Sequence, residues 1–172
     1  MKLKTIYAAF TIACMLVVSN AEAKVFKAKN FKGSYSAYLN GTITFLGGNP
    51  VFLPTWFIGV ISSDGKGNVS VEGKFNFGGC SIVTETAYGT YTVNQNGTGS
   101  VSATVNDVAV VPIGTANNPC PSLPPLGGPT SVLKLEFSIV NNKTINAILS
   151  SLEDSQGNPI AAFGAYGQAN RQ

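Results

Sequence analysis

The chain of 172 residues has no histidine, few charges and only three cysteines, Cys14, Cys80 and Cys120. Without histidine there is no Ser-His-Asp or Cys-His nucleophile and no imidazole metal site. Charged residues make up 11% of the chain and the net charge is +3. Leaving out residues 1–23 removes Lys2, Lys4 and Glu22 from 11 basic and 8 acidic residues, so 9 minus 7 leaves +2. That balance is too small to direct the chain to nucleic acid or to an anionic membrane surface. No segment keeps a helical period, and the longest apolar run, Thr5 to Val18, falls short of the ~20 residues a membrane-spanning helix needs.

That run reads instead as a secretory signal. Lys2 and Lys4 precede it, and Ala21-Glu22-Ala23 follows as a small-x-small cleavage site, with Ala23 and Lys24 flanking the cut. The chain is therefore expected to be exported, to the periplasm or the medium, as one domain spanning 24–172. Lys24, Lys27, Lys29 and Lys32 crowd its start and read as a solvated tail. Cys80 and Cys120 are expected to form one disulfide. It would close a loop of about 40 residues, worth about 4 kcal/mol in the chain-entropy model.

What is abundant is alternation with period two, the mark of a strand with one face on a core. Val69, Val71 and Phe75 alternate with Ser70, Glu72 and Lys74, and Leu133, Leu135, Phe137 and Ile139 with Lys134, Glu136 and Ser138. Val101, Ala103 and Val105 show the same pattern. Less regular strands are expected over 34–39, 42–46, 55–62, 82–94, 144–152 and 159–167. Asp64-Gly65 and Asn96-Gly97 predict type I′ hairpin turns. The segment 107–130 holds six of the nine prolines and Cys120, which predicts a long loop pinned by the disulfide. Together these predict an all-β antiparallel meander of about eight strands. Closing it into a barrel hides its edges; a two-sheet β-sandwich is the alternative.

The two hairpins repeat. GVISSDGKGNVSVEG and GTYTVNQNGTGSVSA share a leading glycine, a turn and an alternating strand, and the chain ends GAYGQANRQ. In this order and spacing the motifs resemble a family of small exported bacterial proteins over most of 33–172. Ser63 stands where that family has an aromatic and Asn96 where it has a second Asp, and the cysteine-bearing loop is not part of its pattern. The resemblance implies a barrel of the lipocalin or allene-oxide-cyclase type. It implies no catalytic residues.

Candidate chemistry is sparse. Asp64 reads as a turn residue, Glu72 and Glu136 fall on polar strand faces, and only Glu85 and Asp107 lack such a role. Gly65-Lys66-Gly67 and Gly97-Thr98-Gly99 precede strands, whereas a phosphate cradle needs a following helix. No cofactor, metal ligand set or enzymatic constellation is read from these residues. The aromatics are more suggestive. Phe45, Phe52, Trp56, Phe57 and Phe75 are expected either to line a cavity for a small apolar ligand or to fill the core. Trp56 alternates with Ile58 and Val60, and Phe57 with Gly59 and Ile61, so both faces of that strand are apolar. The expected function is non-catalytic binding of a small apolar ligand or a partner surface. The alternatives are an envelope interaction protein acting through 107–130 and a small outer-membrane barrel.

Overall fold

The computed structural model describes residues 24–46, 51–112 and 131–172. The expected signal segment and its cleavage site up to Ala23 lie outside the described residues, as does Cys120. Eight strands follow in chain order: β1 (Gly33–Phe45), β2 (Val51–Ser63), β3 (Asn68–Phe77), β4 (Ser81–Val93), β5 (Thr98–Pro112), β6 (Val132–Ile139), β7 (Thr144–Glu153) and β8 (Pro159–Arg171). Each pairs antiparallel with the next, and β8 pairs with β1 to close a barrel. The two-sheet alternative is thereby set aside. Closure gives every strand of the ring a partner on both sides, so no ladder is left as a template for aggregation.

The strands run longer than the alternation predicts. The two strands expected over 34–39 and 42–46 are one strand, β1, which runs unbroken through Asn40-Gly41 and ends at Phe45, one residue short of the expected 46. Gly41 is needed there because a Cβ would collide with the backbone of Gly164 and Ala165 on β8. β5 continues to Pro112 and pairs with β4 as far as Ser81. The long excursion thus begins after Pro112 and not at Asp107, and 113–130 lies outside the described residues.

The hairpin turns also differ from expectation. No described residue other than glycine has positive φ, so neither Asp64 nor Asn96 adopts the type I′ form. The loops are three residues long. Asn94 N donates to Thr98 O, Gly97 N donates to Asn94 O, and Gly97 takes φ +89°. Asp154 N–Asn158 O and Gly157 N–Asp154 O repeat this arrangement between β7 and β8. This is a type I turn followed by a left-handed glycine, the usual three-residue hairpin. Asp64 and Asp154 brace their loops identically: one carboxylate oxygen accepts from the backbone two and four residues on, and the other from the amide of Asn68 or Asn158. These bonds to the charged form hold the Asp64 carboxyl down to about 2 and lower that of Asp154.

The bore is filled by alternate residues of every strand. Leu39, Ile43, Ile61, Val101, Leu133, Leu135, Ile145 and Leu149 are buried, with Ala37, Ala87, Ala103, Ala147, Ala165 and Ala169 among them. Mixing large and small side chains fits an eight-stranded barrel, whose interior is just wide enough for side chains.

The N-terminal segment is not a tail. Phe26 N donates to Gln95 O, and a 3-10 turn over Ala28–Phe31 crosses one end of the barrel. Phe31 is fully buried there. Its ring stacks on Phe137 at 4.6 Å, meets Tyr91 edge-on at 5.0 Å and lies 5.2 Å from Tyr35. Tyr91 Oη donates to Ala28 O at 3.0 Å and ties the turn down. Four lysines in sequence suggested solvation because their charge masks two phenylalanines placed to plug the bore.

Candidate functional site

The expected lining divides between the two faces of the barrel wall. Phe45, Phe57 and Phe75 point inward and are buried. Phe52 is 72% exposed and Trp56 is half-buried on the opposite face. Neither can line the interior. The correction follows from parity: Phe52, Trp56 and Ile58 share one face of β2, and Phe57 and Ile61 share the other.

Inside, the phenylalanines pack on one another. Phe57 and Phe75 are 4.7 Å apart, Phe75 and Phe77 5.8 Å, Phe45 and Phe77 6.1 Å, and Phe163 lies 6.3 Å from Phe75. Gly59 and Gly73 face each other across β2 and β3. A Cβ on either would run into the Phe57 ring, so the pair forms a flat bed for it. Among the described residues a cavity of about 10 Å³ lies between Phe75, Phe77, Val83, Glu85, Leu133 and Phe163. That is about the room one water requires, far below the several hundred Å³ of a drug-sized ligand site.

Among the described residues Glu85 is the one carboxylate lining this cavity. β4 turns it inward between Val83 and Ala87. Its Oε1 is sealed from water and has no hydrogen-bond partner. Burial among apolar side chains pushes its carboxyl up to about 7. A neutral acid in this setting can donate a proton or a hydrogen bond. Asp107, the other carboxylate without an assigned role, has its backbone opposite Thr86; its side chain lies outside what is described.

Outside, a different surface gathers. Trp56 faces Asn40, Asn40 faces Tyr166, and Tyr166 faces Ile148, across β2, β1, β8 and β7. In the next row Ile58 faces Tyr38. Directly opposed residues have Cβ atoms ~5 Å apart, so these side chains form one patch. Tyr166 is 72% exposed, and Tyr38 and Ile58 are each 54% exposed. Tyr38, Ile58, Val60 and Gln168 border a shallow open groove of about 400 Å³. The two apolar faces of β2 signalled such a patch in sequence. Its extension across Tyr38, Tyr166 and Ile148 was hidden, because those residues meet only through strand register.

Cys80 sits beside the turn between β3 and β4, where its N–H donates to Phe77 O. No family model, curated protein or solved structure matches the chain.

Proposed function

We propose that the chain is an exported, non-catalytic barrel that binds an apolar surface or ligand with its outer wall. The observation that carries this reading is the contrast across that wall: among the described residues the phenylalanine-lined cavity in the bore measures about 10 Å³, while Tyr38, Ile58 and Tyr166 stand in the open around Trp56. Contiguous exposed apolar side chains mark interaction sites in soluble proteins. A small ligand enclosed in the barrel would have to displace packed phenylalanines. An outer-membrane barrel asks for an apolar outer band and a polar interior. Here the outward positions of β3 and β6 include Glu72, Lys74 and Glu136, and the described interior is apolar apart from Glu85 and a few buried hydroxyls. The reading includes removal of residues 1–23 and a Cys80–Cys120 disulfide; intact mass with and without reduction checks both.

The binding claim is tested with Nile red, a neutral apolar probe. Saturable binding with a shift in Trp56 emission is expected. A Tyr38→Ser/Tyr166→Ser double variant should weaken it at least tenfold, and Glu85→Gln should leave it unchanged. An absence of saturable binding, or a loss on Glu85→Gln alone, overturns the outer-wall reading.

A further inference from the structure

The plugged end of the barrel collects positive charge. The 3-10 turn and its flanks bring Lys24, Lys27, Lys29 and Lys32, the β6–β7 turn brings Lys143, and β8 ends at Arg171. Lys24, Lys29 and Arg171 converge on one pocket of about 180 Å³, completed by Asn30 and Asn142 and floored by Phe26 and Ile139. No carboxylate side chain lines it. Among the described residues the one ion pair is Lys134–Glu153, on strands β6 and β7, so the three cations meet without a counter-charge.

The pocket's donors are held in place. Arg171 N donates to Lys143 O and Gln172 N to Ser34 O, fixing the strand end. The guanidinium lies over Gly33, where a Cβ would come within 2.9 Å of Nε. Lys24 Nζ sits 5.0 Å from the centre of the Phe26 ring, a cation–π contact. Asn30 Oδ1 accepts from Lys27 N at 2.8 Å, which leaves its Nδ2 amide group as a donor. Asp64, the acidic residue of the β2–β3 turn at this end, is occupied by its own loop. Bringing three like charges together costs energy that a bound anion would offset.

We infer that this pocket binds a phosphate group. A planar guanidinium and two ammonium groups suit a tetrahedral oxyanion that accepts several charge-assisted hydrogen bonds. The volume admits a phosphate with a small organic substituent and excludes a nucleotide-sized ligand buried whole. The group could arrive on a soluble phosphomonoester or on a phospholipid headgroup at the membrane surface. The site lies at the end of the bore and is separate from the apolar patch on the wall.

Calorimetric titration of the exported protein with inorganic phosphate and with glycerol 3-phosphate, at low and matched ionic strength against chloride, tests the site. Saturable binding is expected, weakening as salt rises. Lys29→Gln changes an exposed side chain and should weaken it at least fivefold; Arg171→Gln should weaken it at least tenfold. Lys74→Gln, on the wall, should change it less than twofold. Co-sedimentation with phosphatidylglycerol vesicles, compared with phosphatidylcholine vesicles, assigns the source: capture that Lys29→Gln abolishes points to a headgroup, and titration without capture points to a soluble phosphate. No saturable response to phosphate, phosphomonoester or anionic vesicles overturns the inference. So does an equal loss with Lys74→Gln, which would mark a general charge effect.

Discussion

At the end of the barrel crossed by the 3-10 turn, Phe31 is packed by three aromatic rings and cations surround the rim. Toward the opposite end, a cluster of phenylalanines surrounds the Glu85 carboxyl, whose Oε1 has no hydrogen-bond partner, and a water-sized void. One end is finished by packing, with its charges outside. The other carries a charge-bearing group inside, where the neutral form is favoured. The comparison teaches that a filled bore need not be uniformly filled. Burial raises the pKa of the plug's titratable rings, Tyr35 and Tyr91, so their stability is lost only in alkali, whereas Glu85 makes stability at its end depend on pH near neutrality.

The sharpest way to break this comparison is to remove the plug. Phe31→Ala should cost about 3–5 kcal/mol, the usual penalty for truncating a buried phenylalanine, read as a lowered denaturation midpoint with an unchanged slope. A cost below about 1 kcal/mol would mean that the 3-10 turn merely rests on the barrel.

Glu85 gives the next effect. Its folded pKa of about 7 lies above the ordinary 4.5, so the folded state binds the proton more tightly than the unfolded state. Stability is then fully present below about pH 4.5 and is lost as pH rises through 7. The loss should reach at most about 3 kcal/mol, at 1.36 kcal/mol per pKa unit. Glu85→Gln should flatten the profile between pH 5 and 8; an unchanged slope there would show that Glu85 reaches water. Asp64 and Asp154 act in the opposite sense, because their lowered values give stability that disappears as pH falls below about 4.

A smaller change tests the bed beneath Phe57. Gly73→Ala places a methyl against that ring, and overpacking of this kind costs about 1–3 kcal/mol. Thermal unfolding of the Gly73→Ala and Gly59→Ala variants should show both destabilised, with the double variant not additive because they crowd the same ring. The least effect belongs to the outer wall. Tyr166→Ser should shift stability by no more than about 0.5 kcal/mol, which separates that patch from the core it was first grouped with.

Much of this architecture was legible in the chain. Alternation in Val69–Phe75 and Leu133–Ile139 named the inward residues, since a strand's two faces differ by parity alone. The turn positions were legible as well, although the turn type was not. The decisive signal was an Asp or Asn four residues before an Asn or Thr with glycine between, as in Asp64–Asn68, Asn94–Thr98 and Asp154–Asn158, and not the Asx-Gly pair itself. The site was less legible. Trp56 and Phe57 are neighbours in sequence on opposite sides of a wall, so proximity along the chain grouped residues that the barrel separates.

By itself the sequence determined the strand content, the face each side chain takes and the absence of histidine chemistry, because these depend on local period and composition. Only the tertiary structure decided whether the sheet closes, how little room the closed bore keeps and what plugs its end. Closure depends on β8 meeting β1 across more than a hundred residues of chain, and the free volume depends on how rings from β1, β2, β3 and β8 interlock. The gathering of Lys24, Lys29 and Arg171 is of the same kind. Their positions at the two extremes of the domain meet only because a closed meander returns its last strand to its first.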